Sequence, residues 1–364
     1  FKQKTAYEIS LGLVGSEMCI RDRLVGYGYS CRTIQSYLIG LTQGLNLYGV
    51  YTRDSGRQKD ARESYPKAKI YSDYSDLLND GNVQLIVLGT PHDTHHDLAV
   101  KAMDAGKHVV TDKVMCLTAR EAQSMIEARD RNQVVLSVFH NRRWDWDYLT
   151  VKKAIQDGLI GDPYLYQVAV MRYKKPVSWR ADREASGGIL YDWPAHLIDQ
   201  ALQLVPASPR DVFCQIVYGE GWQTDIGNYG NLLIRFDNGT LYQIEIGNLA
   251  AIEKPRWYVC GKNGSLIKYG MDHQEEFVKK GRILETKEDP EGCVRVVRLK
   301  DEILQEISLE SIRGTWTSYY QNISNVLNRG FELEVKPEQI LLQMKVFDAA
   351  MISIELGKFV PVGR

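Results

Sequence analysis

The stretch LVGYGYSC, residues 24–31, has the form of a buried strand that ends in glycines where a helix begins. Gly26 and Gly28 would let backbone N–H groups approach a pyrophosphate at the positive helix terminus, with Tyr29 and Ser30 beside them. Cys31 stands where such loops usually carry a third glycine. Taken alone, the stretch fits a plain strand-to-helix turn equally well, so the pattern around it has to separate the two interpretations.

The segments that follow alternate between strand and helix patterns as far as residue 139. Short apolar runs such as QLIVLGT and VVLSVFH predict strands buried on both faces, and stretches such as HHDLAVKAMDAG predict the helices between them. This order is typical of a doubly wound parallel sheet. We therefore predict an α/β nucleotide-binding domain at residues 24–140.

The pattern changes after residue 140. Segments such as GNLLIRFDNGTLYQIEIGNLA alternate apolar and polar residues around Asn-Gly turns, which indicates antiparallel hairpins. Helical patterns lie near residues 189–205, 312–328 and 337–356. Residues 141–364 are thus expected to form a second, α+β domain with a large open, mostly antiparallel sheet.

Composition narrows the classes of function. The 364 residues are 44% hydrophobic and 25% charged, with a net charge of −1, which argues against nucleic acid or an acidic membrane as partner. No apolar run reaches the ~20 residues of a membrane helix, and the amino terminus lacks a signal-peptide pattern, so we expect a cytoplasmic protein. The six cysteines contain no CxxC pair, which speaks against zinc or a redox centre.

Two loops at predicted strand ends concern a cofactor. The second strand ends in Thr52 and Arg53 rather than in a carboxylate, which suits the 2′-phosphate of NADP, although Arg53 could equally be a solvated loop residue. The loop TPHDTHH, residues 90–96, places three imidazoles at a helix start. No distant ligand set completes a metal site, so we expect this loop to contact the cofactor and predict no metal.

The candidate reaction centre combines a lysine with a DxxxH pattern. Lys113 follows a strand at the edge where open α/β sheets bind ligands, and its ammonium could stabilise a developing alkoxide. Asp192, His196 and Asp199 would share one face of a helix, with His196 as base and Asp192 fixing its tautomer. The alternatives are a surface lysine, an Asp192 that only caps the helix, and a core histidine.

Aromatic and cationic residues could line a substrate site. Trp144 and Trp146 in NRRWDWD, together with Trp179 and Arg180, would suit a polyhydroxylated substrate as a wall. The same side chains could instead pack the junction between the domains.

Together, GYGYSC, TPHDTHHDLAVKAMDAGKHVVTDK, NRRWDWD, SGGILYDWPAHLIDQAL and RWYVCGKNGSL resemble the Gfo/Idh/MocA oxidoreductase family, in order from Leu24 nearly to the end. The resemblance is closest to the branch of NADP-dependent scyllo-inositol dehydrogenases. It implies a Rossmann domain followed by a domain whose open sheet often mediates oligomers. We therefore expect a homo-oligomer, either a dimer or a tetramer.

The resemblance also implies the site residues. Lys113, Asp192 and His196 would be catalytic, and Arg142, Trp179 and Arg180 would contact the substrate. NADP is the expected cofactor, with NAD as the alternative. The expected cofactor contacts are Gly26, Gly28, Tyr29, Ser30, Thr52, Arg53, Thr90, Pro91, His92, His95 and Asp112.

The chain departs from the family pattern at three places: Asp112-Lys113-Val114 stands where Glu-Lys-Pro is usual, and Pro194 and Cys31 each stand where a glycine is usual. Its beginning is also unusual. SLGLVGSEMCIRDR, residues 10–23, resembles translated sequencing-adapter read-through, and we expect the first strand to end in LVGYG. Our hypothesis is that residues 1–23 are not native; a natural amino-terminal extension is the alternative.

The leading function is an oxidoreductase that moves a hydride between nicotinamide and a secondary hydroxyl of a cyclitol, sugar or sugar derivative. Lys113 would polarise the reacting oxygen while His196 moves the proton. The first alternative is a glycosidase that oxidises its substrate transiently with tightly bound cofactor. The second is a regulator that senses the dinucleotide without turnover.

Overall fold

The computed structural model describes residues 20–219, 222, 224–289 and 292–363. The first domain is built on six parallel strands in the order β3-β2-β1-β4-β5-β6, the doubly wound arrangement that the sequence predicts. The strands are β1 (Ile20–Val25), β2 (Leu45–Tyr51), β3 (Lys69–Tyr71), β4 (Leu85–Leu88), β5 (His108–Thr111) and β6 (Leu136–Val138). A π-helical turn at Ser30–Gln35 continues into α1 (Ser36–Gly40), followed by α2 (Ser55–Ser64), α3 (Tyr74–Asn79), α4 (His95–Asp104) and α5 (Ala119–Asn132).

Strand β1 begins at Ile20, four residues before the boundary that we predicted for the first domain at residue 24. Asp22 and Arg23, which fall within the segment 1–23 that we hypothesised to be non-native, are fully buried in this strand. The Arg23 guanidinium is accommodated because it donates to the Tyr71 hydroxyl at 2.9 Å and lies 3.4 Å from the centre of the Tyr48 ring. The segment 1–19, where most of our hypothesis of a non-native start falls, lies outside the described residues.

Asp22 has no comparable compensation. It pairs in register with Leu47 on one side and Leu85 on the other, and neither of its carboxylate oxygens has a hydrogen-bond partner among the residues described. Burial raises the pKa of Asp22 to about 7, although the Arg23 charge opposes this shift. The first strand therefore carries at its centre a fully buried acid that the Arg23 charge offsets only in part.

The second domain contains a nine-stranded sheet in the order β14-β13-β12-β11-β7-β10-β9-β8-β15. Neighbouring strands are antiparallel except β7 and β10, which run parallel, and this confirms the predicted mostly antiparallel sheet. The strands are β7 (Pro163–Met171), β8 (Pro209–Val217), β9 (Tyr229–Phe236), β10 (Leu241–Gly247), β11 (Trp257–Gly261), β12 (Gly264–Lys268), β13 (Val294–Lys300), β14 (Ile303–Leu309) and β15 (Val360–Pro361).

The helices of this part of the chain are α6 (Trp146–Gln156), α7 (Arg183–Ser186), α8 (Trp193–Leu204), α9 (Gln274–Lys279), α10 (Thr317–Arg329) and α11 (Pro337–Leu356). The helical segment that we expected from residue 189 begins as a 3-10 turn at Ile189–Tyr191, and α8 follows from Trp193 with Pro194 in its first turn. None of the described helices is both long and apolar enough to cross a membrane.

Candidate active site

The glycine loop has the geometry that a dinucleotide pyrophosphate requires. Gly26 has a φ of +86°, and a Cβ atom there would lie 2.7 Å from Thr90 Cγ2. A Cβ at Gly28 would meet nothing within 4 Å, so this backbone faces open space. Ser30 then opens the first helical turn, with its positive terminus at the loop. The residues present therefore fit the phosphates of a dinucleotide.

The missing third glycine is compensated on the neighbouring strand. Cys31 is fully buried, and a Cβ atom on Gly89 would lie only 2.3 Å from its thiol sulfur. The space that a glycine at position 31 would provide is thus supplied by Gly89, just after β4. Close packing of the helix against the sheet survives the substitution.

The residues at the end of β2 lie in two different environments. Thr52 is buried, and its backbone N–H donates to the Tyr71 carbonyl at 3.2 Å. Arg53 is exposed and makes no ion pair with any described residue. Asp54 caps α2 by accepting from the Arg57 N–H at 2.8 Å. An exposed guanidinium at this sheet edge is available to a ligand.

Each of the three histidines of residues 90–96 is hydrogen-bonded within the protein. Their ring nitrogens contact different partners: Ser186 O for His92, Val114 O and Thr90 O for His95, and Asp97 and Ser124 for His96. No group of three metal-ligating side chains occurs among the described residues. His92 and His95 are buried, so they hold the loop in place, while Thr90 and Pro91 remain partly exposed at its surface.

Lys113 lies at the centre of a charged cluster. Its ammonium donates to the backbone carbonyl of Asp192 at 2.8 Å and to Asp192 Oδ1 at 2.9 Å. Arg172 donates to the other carboxylate oxygen, Asp192 Oδ2, at 2.9 Å. Asp112 accepts from the backbone N–H of Lys113 at 2.8 Å, and the peptide between Lys113 and Val114 is cis. The structure thus brings the first domain's lysine onto the second domain's aspartate.

Asp192 differs from both interpretations of its sequence. It precedes α8 instead of lying on the helix, and its side chain makes no capping bond. Burial works to raise its pKa, but Lys113 and Arg172 outweigh this effect and hold the pKa of the carboxyl well below its usual range. Asp192 is therefore an ionised anchor for Lys113.

His196 is buried, with 6% of its surface exposed, and its Nδ1 atom has no hydrogen-bond partner in the described part of the chain. Its ring packs edge-on against those of His140 and Trp193. Burial, and then the charges of Lys113 and Arg142, keep the pKa of His196 well below its ordinary value. The imidazole is neutral, and Asp192 does not fix its tautomer as we expected.

Asp199 and Arg142 both serve structural ion pairs. Asp199 accepts two hydrogen bonds from Arg143, at 2.6 and 2.8 Å. The Arg142 guanidinium, expected to contact substrate, is buried between Asp145 and Glu275, with 2.9 Å to each carboxylate. Trp193 faces the same guanidinium at 4.1 Å from the ring centre. Arg142 therefore packs against Trp193 at the start of α8, the helix that carries His196, and is paired with carboxylates of the protein.

The aromatic residues that we predicted to line a substrate site lie in two different places. Trp146 is buried and its indole N–H donates to the Gly314 carbonyl at 2.7 Å, so it packs inside the domain. Trp179 packs edge-on against His92 at 4.7 Å between ring centres, and Arg180 lies 4.4 Å from the Trp179 ring. Trp179 and Arg180 are partly exposed beside the loop at residues 90–96, and they remain candidates for substrate contact.

Sequence reasoning missed Arg172 and Asn248. Asn248 Oδ1 accepts from Arg172 Nε at 3.2 Å, and the Arg172 backbone N–H donates to the Gly247 carbonyl at 2.9 Å. The two residues meet because β7 and β10 are parallel neighbours whose carboxyl ends lie side by side. A polar residue directly after each strand was the available signal, but the pairing of the two strands was not evident from the sequence.

Comparisons with known proteins agree with this geometry. Residues 20–140 match the model of an oxidoreductase family with an NAD-binding Rossmann fold, and residues 148–267 match the GFO/IDH/MocA C-terminal domain. The chain is 31% identical to scyllo-inositol 2-dehydrogenase (NADP(+)) IolW of Bacillus subtilis, over 92% of this chain and 93% of the relative. It is 35% identical to the uncharacterized oxidoreductase YdgJ of Escherichia coli, over 92% and 96%.

Solved structures give the same result. The structure of yvaA from Bacillus subtilis superimposes with a TM-score of 0.89 at 28% identity, covering 96% of this chain and all of that one. A protein of Yersinia pestis superimposes with a TM-score of 0.86 at 32% identity, covering 96% and 98%. Matched domains, full-length relatives and shared architecture together place this chain in the GFO/IDH/MocA oxidoreductase family.

Proposed function

We propose that the protein is an NADP-dependent dehydrogenase that oxidises a secondary hydroxyl of a cyclitol, sugar or sugar derivative, or reduces the corresponding ketone. The observation that carries this proposal is the Lys113–Asp192 ion pair beside a neutral His196. A fixed ammonium and an unprotonated base are the two groups that removal of a hydride from a carbinol needs.

The two side chains have distinct roles. Lys113 keeps one N–H donor beyond the two that bond Asp192, and we assign it to the reacting oxygen, where it stabilises negative charge as the O–H bond breaks. His196 accepts the hydroxyl proton in oxidation and returns it in reduction. Bound NADP supplies the acceptor or donor of the hydride. Asp192, with Arg172 on its other oxygen, keeps Lys113 oriented.

The cofactor would lie along the carboxyl edge of the parallel sheet. Gly26 and Gly28 would accommodate the pyrophosphate, and Thr90 and Pro91 would line the neighbouring strand end. Arg53 is suited to a 2′-phosphate because it is exposed and has no carboxylate partner among the described residues. The preference for NADP is supported by the name of the Bacillus subtilis relative, scyllo-inositol 2-dehydrogenase (NADP(+)).

The substrate class is supported by the relatives' names. Besides the scyllo-inositol enzyme, a myo-inositol 2-dehydrogenase of Thermotoga maritima is 26% identical over 72% of this chain. A ring that carries several hydroxyls suits the partly exposed Arg172, Trp179 and Arg180 around Lys113, because these side chains offer hydrogen-bond donors and an aromatic face.

The test is NADPH formation, followed by near-ultraviolet absorbance, with a panel of inositols, hexoses and glycosides. We expect NADPH to accumulate in proportion to the polyol consumed, and His196→Ala to lower the rate by about 100-fold. His96→Ala is the matched control, because that ring is bonded to Asp97 and Ser124 away from Lys113.

Three outcomes would contradict the proposal. Hydrolysis of a glycoside without net NADPH would indicate the glycosidase with transient oxidation. Tight NADPH binding without turnover of any substrate would indicate the sensor. An undiminished rate in His196→Ala would remove the proposed base.

A further inference from the structure

Helix α9 of the C-terminal domain packs against the glycine loop of the first domain. Tyr29, which follows Gly28, donates its hydroxyl to Glu275 Oε1 at 3.4 Å. Beyond α9, the backbone N–H of Ile283 donates to the Tyr37 hydroxyl at 3.2 Å. Residues 275–283 therefore run alongside the helix that begins at the glycine loop, although they lie some 240 residues later in the sequence.

Glu275 connects three groups at this junction. Besides the Tyr29 hydroxyl, its carboxylate accepts from Arg142 at 2.9 Å and pairs with Lys279 at 3.0 Å. Arg142 in turn lies over Trp193, the residue between Asp192 and the turn that carries His196. One carboxylate thus links the glycine loop to the start of the active-site helix.

Lys279 is the exposed member of this group. Its side chain keeps 44% of its surface accessible, whereas that of Arg142 keeps 5%. The Lys279 ammonium lies 5.8 Å from the centre of the ring of Tyr29, the residue that follows Gly28 in the loop. An ammonium has three N–H donors, so its contact with Glu275 does not exhaust its capacity.

Lys279 and Glu275 are both held in their charged forms by their contacts. Burial works against the charge on Lys279, but the hydrogen bond to Glu275 raises its pKa above the ordinary value. Burial likewise opposes ionisation of Glu275, and the Arg142 charge nevertheless holds its pKa below the ordinary value. Both side chains are therefore ionised across the neutral range.

We propose that α9 is a clasp by which the C-terminal domain holds the dinucleotide, with Lys279 donating to the pyrophosphate and Glu275 fixing Lys279 and Tyr29. This inference rests on the proposed dinucleotide-binding function. Lys279 is then a cofactor-binding residue that comes from outside the Rossmann domain. Glu275 is a positioning residue, because it acts through Lys279, Tyr29 and Arg142.

The experiment measures NADPH affinity without substrate, by the fluorescence of the bound nucleotide. We expect Lys279→Met to raise the Kd about three- to tenfold at low salt, with the difference from wild type shrinking as salt screens the charge. Lys280→Met is the matched control, because it removes the same charge from the next residue, which faces Phe277. Its Kd should stay within about twofold of wild type.

A second set of variants tests the coupling. Tyr29→Phe removes the hydroxyl that donates to Glu275, and Glu275→Gln removes the charge that holds Lys279. If the contact operates as proposed, the effect of Tyr29→Phe on the Kd is smaller in the Glu275→Gln background than in wild type. Glu276→Gln, an exposed neighbour on the same helix, serves as the control.

The clasp is overturned if Lys279→Met binds NADPH like wild type, if both lysine variants weaken binding equally, or if Tyr29→Phe and Glu275→Gln act additively. Failure of the wild-type protein to bind NADPH or NADH overturns the clasp together with the proposed cofactor. A protein that binds NADPH through Lys279 but oxidises no polyol overturns only the proposed reaction.

Discussion

Replacing Asp22 with valine should stabilise the protein, and the gain should depend on pH. The carboxyl is fully buried in β1, where Asp22 is paired with Leu47 of β2 and with Leu85 of β4. It has no hydrogen-bond partner in the described structure. Valine is suited to a strand in a parallel sheet buried on both faces. The substitution removes an acid that cannot be solvated.

The size of the expected gain in stability follows from the pKa of Asp22. Burial raises it from the ordinary 3.8 to about 7 in the folded protein. A difference of about three units corresponds to about 4 kcal/mol. Because the folded pKa is the higher one, the folded protein binds the proton more tightly, and stability is lost as the pH rises from about 4 to about 7. The full cost is present above about pH 7.

The assay is urea unfolding of wild type and Asp22→Val at about pH 5 and about pH 8. Comparing the two proteins at each pH cancels the titration of other groups. We expect the advantage of the valine variant to be larger at the higher pH, by about 2 to 3 kcal/mol. An advantage that does not change with pH, or a valine variant that is less stable at pH 8, would refute the burial of an unpaired carboxyl in β1.

Three further predictions concern the site. If neutral His196 is the base, the acid limb of the pH profile of kcat/KM for oxidation should lie below the ordinary histidine pKa of about 6.5, since burial and nearby cations lower its pKa. Arg172→Gln should lower kcat/KM by roughly 30-fold through loss of a charged hydrogen bond, whereas the exposed neighbour Lys174→Gln should not. Gly89→Ala should cost about 1–3 kcal/mol in unfolding free energy through overlap with the Cys31 thiol, and Cys31→Gly should restore much of it.

Each of these three predictions has a result that would contradict it. An acid limb at or above pH ~6.5 would mean that His196 is solvated or is not the base. Equal losses in the Arg172 and Lys174 variants would point to a diffuse charge effect. A Gly89→Ala protein that is unaffected, or is not rescued by Cys31→Gly, would show that the two positions do not share space.

The first domain could be predicted in detail because its signals are local. Buried apolar runs separated by amphipathic helices specify a parallel sheet, and Gly26 and Gly28 carry the conformational freedom that the loop needs. The start of β1 could not be predicted, because Asp22 and Arg23 are charged and strands buried on both faces normally exclude such residues. The Tyr48 and Tyr71 rings around Arg23, together with the Asp80 carboxylate at 3.7 Å, explain its burial.

The candidate site was only partly predictable for a different reason. Lys113, Asp192 and His196 stand in recognisable motifs, but their partners depend on contacts across the chain. The DxxxH spacing predicted an Asp192–His196 pair, whereas Asp192 precedes the helix and bonds Lys113 and Arg172 instead. A 3-10 turn at Ile189–Tyr191 ends just before α8, and Asp192 between them has a ψ of −100°, so only the folded backbone shows which way the carboxylate points.

The proposed function depends most on Lys113, which is held by Asp192 and would stabilise the reacting oxygen during hydride transfer. The most direct measurement compares wild type with Lys113→Met for NADPH formation from inositols, alongside NADPH affinity measured without substrate. We expect turnover by wild type, a loss of at least about 100-fold in kcat for the variant, and an NADPH Kd within a fewfold of wild type. A Lys113→Met protein that retains most of its kcat would contradict the proposed role of Lys113.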